Sequence, residues 1–232
     1  MIEPVYLYGD KIGKVEYVEH MGNDLSVVNS ARVSFGKHKD TLEDKDKKLI
    51  NYLIKHRHTS TLEHCVATFR FKVPLFVRSQ HHRHRTWSYN EISRRYTEYN
   101  IEFYNPSLYR TQHDSNRQAS NEYDFVTGPQ AAPILGCNVT EAVRRFHNVA
   151  FKMYNSLLEV GVCREQARGI LPQNMYTEYY GTANLNNILK FIDLRIHEGA
   201  QSEIQEVAKA ILKITKKLFP ITVGAYEKTK TV

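Results

Sequence analysis

The stretch HCVATFRFKV, residues 64–73, does most to limit how this chain can fold. Cys65, Ala67, Phe69 and Phe71 point one way, and Val66, Thr68, Arg70 and Lys72 the other. A period of two marks a β-strand, because successive side chains leave opposite faces of the pleat. One face is apolar and the other carries two cations, so a single side of the sheet needs covering.

Amphipathic segments supply the cover. Two short strands, Val5–Tyr8 and Val15–His20, join through a turn at Gly9-Asp10. Asp24 is placed to cap a helix over DLSVVNSARVS, and Thr41 to open a second, with Asp44 in its capping box. Leu42, Leu49, Ile50, Leu53 and Ile54 follow helical spacing there. Pro74 suits the first turn of a helix entering the next segment. Asn138 with Glu141 reads as a capping box for a helix to about Val160, ended by Gly161. A short helix REQARGIL stops at Pro172, the aromatic strand MYTEYYGT follows, and Asn184 caps a helix containing Ile188, Leu189 and Ile192. A last helix over 202–218 puts Ile204, Val207, Ile211, Ile214 and Leu218 on one face before Pro220. Residues 107–138 are polar and aperiodic and read as a loop or lid. The expectation is a single α+β domain over 1–232, its central, mostly antiparallel sheet packed by long helices.

Composition narrows the partners. Thirty-two Lys and Arg against 25 Asp and Glu leave a net charge of +7, which favours anionic ligands. No apolar run reaches membrane-span length and the N-terminus lacks a signal-peptide layout, so a cytoplasmic protein is expected. Three cysteines without CxxC spacing suggest neither disulfides nor a thiolate zinc site.

The chemistry concentrates in QHHRHRTWSYNEISRRY, residues 80–96. Four readings compete for it: a solvated basic face, a metal site, a nucleic-acid surface, or a pocket for a phosphorylated small molecule. A solvating face has little use for Trp87, Tyr89 and paired serines among its arginines. His56, His58, His64, His81, His82 and His84 form no recognised ligand spacing, and the arginines would repel a cation, so no metal is expected. Arginines with interleaved aromatics suit nucleic acid, yet no nucleic-acid module or basic tail accompanies them. A nucleotide cleft fits better: guanidinium forks for phosphate, aromatics for stacking, and Asn, Ser and Glu for sugar and base edges.

RHRTWSYNEISRRY resembles the pattern RHRxxSxNExSxRY of the flavin-dependent thymidylate synthases, matching at Arg83, His84, Arg85, Ser88, Asn90, Glu91, Ser93, Arg95 and Tyr96. MGNDLSVVNSARVSF, HTSTLEH, REQARGILP and LRIHEGAQSEIQ resemble the family's other blocks in the same order. The resemblance implies conversion of dUMP to dTMP, with methylenetetrahydrofolate as carbon donor and FAD, reduced by NADPH, as hydride carrier. It implies a homotetramer with active sites shared between subunits, and neither nucleic acid nor membrane as partner.

By the same resemblance, Gln80 and Arg83, with His81 and His82 beside them, contact dUMP from one subunit. Glu91, Ile92, Ser93, Arg94 and Arg95 form the phosphate and sugar cradle from another, joined by Arg168. Ser60, Arg83, His84, Arg85, Glu91, Asn184, Asn186 and Lys190 fall at FAD-binding positions, and His58 and Glu63 near flavin and folate. Arg195 is the expected catalytic residue, stabilising charge across N3 and O2 of the uracil so that C5 can attack the methylene carbon. Three positions depart from the family: Leu185-Asn186 where many relatives have Ala-Arg, Lys190 for a usual Asn, and Gly199 for a usual His. Taken alone, Arg168 and Arg195 could be structural ion-pair members, and Tyr176, Tyr179 and Tyr180 strand packing. A competing reading, a nucleotide- or RNA-binding protein that lost catalysis, is disfavoured by the intact Ser88, Glu91, Ser93, Arg95 and Arg195.

Overall fold

A computed structural model describes residues 2–117, 120–126 and 136–230. Five strands, β1 (Val5–Tyr6), β2 (Lys14–Met21), β3 (Val66–Pro74), β4 (Ser88–Glu91) and β7 (Tyr176–Asn184), form one antiparallel sheet in the order β1-β2-β3-β7-β4. The alternation in β3 sets its faces. Ala67, Phe69 and Phe71 are buried inward, opposite Ala183, Gly181 and Tyr179 of β7. A Cβ on Gly181 would lie 2.9 Å from Phe71, so the close approach of the two strands and Trp87 requires glycine there. On the outer face Arg70 and Lys72 pair with Glu178, and Lys72 also with Glu102. Those ion pairs leave the outer face polar while the inner one is sealed.

Helices α6 (Leu185–Arg195) and α7 (Ser202–Leu218) supply the seal. Ile204, Val207, Ile211, Ile214 and Leu218 are all buried, in agreement with their period. Each buried Ile or Val is worth about 1.5–3 kcal/mol of apolar transfer. Around them lie α1 (Asp24–Arg32), α2 (Asp44–Lys55), α3 (Leu75–His81) and α8 (Pro220–Lys228), while α4 (Val139–Glu159) and α5 (Arg164–Ala167) share a smaller core of Tyr154, Ala167, Leu171 and Met175.

Several boundaries differ from expectation, each because a distant partner competes for a local group. Asn23, not Asp24, caps α1, accepting from the backbone of Leu25 and Ser26 at 2.9 and 3.1 Å. Asp24 is buried and accepts instead from the backbone N–H groups of Ile221 and Thr222, 2.9 Å each, and from the Thr222 hydroxyl at 2.6 Å. It therefore satisfies the start of α8. Helix α2 starts at Asp44 behind Glu43, because buried Asp46 closes the capping box and binds Arg32 (2.6 Å) and Lys39 (2.5 Å). Pro74 precedes α3 as its N-cap. Asn138 caps α4, but Glu141 turns to Arg144 and Arg145 at 2.8 Å, so only half of that capping box forms. Within 107–138, β5 (Arg110–Gln112) and β6 (Ser120–Phe125) make a two-stranded sheet; the rest of the expected loop at 118–119 and 127–135 lies outside the described residues. Arg110 ties this hairpin to buried Glu203 of α7 at 3.0 Å. No helix among the described residues is long and apolar enough to cross a membrane.

Candidate active site

Helix α6 organises the expected site residues into two groups. Its eleven residues span roughly 16 Å, with Asn184 at its N-cap and Arg195 at its last position. The Arg195 end comes first. Its Nε donates to His84 Nε2 at 3.1 Å and an Nη2 to the Gln80 carbonyl at 3.2 Å. No carboxylate lies within 4.0 Å of it among the described residues. Burial and then the nearby Arg83 charge lower the Arg195 pKa. Burial, and secondarily Arg195, pushes His84 down to about 4, which keeps the imidazole neutral and able to accept. Gln80 donates its amide to Gln201 at 2.5 Å. The guanidinium is thus aimed and its charge left free.

Below this cluster the motif turns into core. His81 is 0% exposed, with Nδ1 2.9 Å from the Tyr179 hydroxyl and its ring against Phe71, Trp87 and Phe191. Burial drives its pKa well below the usual imidazole value. Its ring is enclosed by aromatics, so the His81 side chain offers no contact to a ligand within this protomer. His82 stacks near Tyr89, ring centres 4.0 Å apart, with a pKa lowered by burial and then by Arg78.

The second half of the motif is extended only as far as Ile92, whose N–H continues the pairing to the Glu178 carbonyl at 2.9 Å. Glu91 accepts from Thr177 Oγ1 at 2.6 Å and lies 3.4 Å from Arg78. A turn follows, in which Ser93 Oγ accepts from the Arg95 N–H at 3.3 Å. Arg94 is buried and donates to the carbonyls of Tyr99 (2.5 Å) and Asn100 (3.3 Å). Its side chain fixes the turn, so of the expected cradle contacts Arg94 retains only its backbone. Arg95 lies 3.4 Å from Glu165, one turn before Arg168, and Arg168 is exposed with no side-chain partner among the described residues.

The opposite end of α6 gathers the other group. His58, Asn186 and Lys190 line one cavity of about 830 Å³, and buried Asn186 donates to Glu63 at 3.0 Å. Ser60 is exposed on the 3-10 turn Thr59–Leu62 beside it. Arg83 and Arg85 are exposed, have no ion-pair partner among the described residues, and belong to the Arg195 end. Apart from Glu91 on β4 and Lys190 midway along the helix, the expected FAD contacts therefore fall at the two ends of α6 within one protomer. The donor set fits a flavin dinucleotide: unpaired guanidinium groups suit its phosphates, and an apolar cavity edged by amides suits its ring systems. Among the described residues no three His, Cys, Asp or Glu side chains converge to hold a metal ion.

Sequence reasoning passed over Gln201, Thr177 and Arg78. Gln201 sits inside the matched block LRIHEGAQSEIQ, the one signal that could have flagged it; nothing local marks Thr177 or Arg78.

Comparison with known proteins converges on one chemistry. Residues 16–221 match the family model described as thymidylate synthase complementing protein. A flavin-dependent thymidylate synthase of Thermotoga neapolitana is 42% identical over 217 residues, covering 93% of this chain and 91% of that protein. One from Thermus thermophilus is 41% identical over 215 residues, covering 93% and 76%. Among solved structures, the UMP/dUMP methylase PolB from Streptomyces cacaoi bound with 5-Br dUMP superposes with a TM-score of 0.81 at 33% identity, covering 97% of each chain.

Proposed function

The chain belongs to the thymidylate synthase complementing protein family, the flavin-dependent thymidylate synthases, and from this membership we propose that it methylates dUMP to dTMP with 5,10-methylenetetrahydrofolate as carbon donor and NADPH as reductant. In this reaction a bond forms between uracil C5 and the methylene carbon, C5 gives up its proton, the bond from the methylene carbon to the folate nitrogen breaks to release tetrahydrofolate, and that carbon gains a hydride. Arg83, His84, Arg85, Asn184, Asn186 and Lys190 would hold FAD, which, once reduced by NADPH, would supply that hydride.

The observation that carries the reading is the setting of Arg195. A planar fork with no carboxylate partner can meet negative charge as it develops on N3 and O2 of the base, which raises electron density at C5. Gln80 and Arg83 orient the base from the same end of α6, while Ser93, the Arg94 backbone, Arg95 and Arg168 receive the phosphate. The reading needs no enzyme thiolate. Cys65 is buried with its thiol pushed up to about 11, chiefly by burial, and Cys137 lies in a loop. Cys163, exposed at the cap of the four-residue α5, is the remaining thiol.

Two features support a homotetramer with shared sites. The expected FAD contacts split between the ends of α6, and α4 carries Phe146, Val149 and Met153 at helical spacing, 56%, 62% and 53% exposed. A second copy covering that stripe would bury it. Release of tritium from C5-labelled dUMP, dependent on methylenetetrahydrofolate and NADPH, tests the reaction. Flavin binding without any release would favour the non-catalytic nucleotide-binding alternative. UMP in place of dUMP checks which sugar the site takes, since PolB is a UMP/dUMP methylase.

A further inference from the structure

The hydroxyl of Tyr89 donates to two backbone carbonyls, those of His81 at 2.9 Å and His84 at 3.1 Å. Tyr89 falls at an open position of the matched pattern, between Ser88 and Asn90. Packing accounts for its ring, which lies 4.0 Å from the His82 ring, centre to centre, and parallel to that of Trp87. Burial raises the phenol pKa, so the proton stays on the oxygen and is there to donate. A half-buried phenol needs one acceptor. A proton shared between carbonyls three residues apart exceeds that need.

The two carbonyls flank the turn through which α3 leaves for β4. The same turn carries both acceptors of Arg195: the Gln80 carbonyl, one residue before His81, and the ring of His84. The backbone closes the turn unaided, the His84 N–H donating to the His81 carbonyl at 2.9 Å. What Tyr89 adds is a tie to the sheet, because its own backbone pairs with Gly181 of β7. Strand β7 runs directly into α6, which ends at Arg195. Sheet, helix, guanidinium, turn and Tyr89 thus form a closed circuit, and the hydroxyl is its link between turn and sheet. A reacting group misplaced by about 1 Å can lose about a hundredfold in rate.

We infer that Tyr89 is a positioning residue for methyl transfer: its hydroxyl fixes the turn 81–84 to the sheet, so that the Gln80 carbonyl and the His84 ring hold the Arg195 guanidinium in its reactive orientation. The inference rests on the reading of Arg195 as the group that activates the base. The hydroxyl should accordingly act on the rate and not on dUMP affinity, which rests chiefly on the phosphate contacts proposed for Arg95 and Arg168.

Tyr89→Phe removes the hydroxyl and keeps the ring, and each carbonyl retains a backbone donor, from His84 and from Trp87, so the variant should fold. The full-length flavoprotein is compared with Tyr89→Phe, Arg195→Lys and the double variant. Methyl transfer is read in single turnovers at saturating dUMP, and dUMP affinity by calorimetry. Tyr89→Phe alone should slow transfer about tenfold, with dUMP affinity within about threefold of wild type. In the Arg195→Lys background the same change should slow it less than about twofold, because a hydroxyl acting through Arg195 has nothing left to aim. A loss of equal size in both backgrounds overturns the inference, as does an unchanged rate or a loss confined to dUMP affinity. Arg195→Lys at the wild-type rate instead sinks the reading of Arg195, and the inference with it. If the wild type transfers no methyl group, the proposed reaction fails, and a crystal structure of Tyr89→Phe decides the clamp. Arg195 still bonded to both acceptors overturns it; Arg195 released from either supports it.

Discussion

A guanidinium bound to a carboxylate presents little net charge to anything else, whereas Arg195 donates to the neutral ring of His84 and to the Gln80 carbonyl. Lysine at this position keeps the charge and loses the fork that can span N3 and O2. Arg195→Lys should therefore still bind FAD and accept hydride from NADPH, while single-turnover methyl transfer to dUMP falls about a hundredfold, roughly 2.7 kcal/mol. Transfer at the wild-type rate would show that Arg195 is not the activating group. By contrast, if Arg95 receives the phosphate as proposed, it meets a charge that does not change during reaction, so Arg95→Ala should chiefly weaken dUMP binding, by about ten- to a hundredfold. The cysteines give a third expectation. A triple Cys→Ala variant should keep turnover within about tenfold, or 1.4 kcal/mol; abolished turnover with flavin still bound would implicate a thiolate. At this scale the motif residues were legible because their spacing is local. Gln201 was not, since its contact with Gln80 joins positions 121 apart. The burial of the His81 ring was not legible either, because a histidine among arginines reads as surface, while the aromatic lid formed by Trp87 and Phe191 is visible only in three dimensions.

Among the elements, α2 depends most visibly on one side chain. Asp46 closes its cap and draws Arg32 of α1 and Lys39 of the connecting loop onto it. Hydrogen bonds from Lys39 and Arg32 outweigh desolvation and hold this carboxyl well below the usual range. A carboxylate depressed in the folded state contributes stability above its unfolded pKa and loses it as pH falls through the folded value. Asp46→Asn should thus lower the melting temperature near neutral pH, the loss of charge in its bonds to Lys39 and Arg32 costing about 1 kcal/mol or more of stability. The gap from wild type should narrow as pH drops below the ordinary carboxylate range. A gap independent of pH would mean that the charge of Asp46 does not matter. Helix α7 was fully legible, its apolar residues lying on one face without interruption. Helix α8 was hidden because Pro220, read as a terminator, opens a new helix at its first position instead. The hairpin β5–β6 escaped notice because its short strands show no sustained alternation.

For the whole molecule, assembly and activity should be inseparable if the two groups at the ends of α6 complete one another across subunits. Met153→Asp, placing a charge on the exposed α4 stripe, should reduce the mass seen by light scattering and take activity with it. Mixing Arg95→Ala with Arg195→Ala protein under subunit exchange should restore part of the activity that neither has alone. A fully active monomer would refute the shared site. The α+β class was legible from one strand and a few amphipathic helices, but the strand order was not, because pairing partners are chosen by the whole chain. That order also bears on how the protein is made. Strand β7 lies between β3 and β4, so the ribosome releases both neighbours about a hundred residues before the strand that joins them, a wait of roughly 5–20 s. Through that interval the apolar face of Phe69 and Phe71 has no sheet partner on one side, and Asp24 waits longer still for the last helix. The nascent chain should therefore stay protease-sensitive until synthesis is nearly complete, and be a natural client of ribosome-associated chaperones.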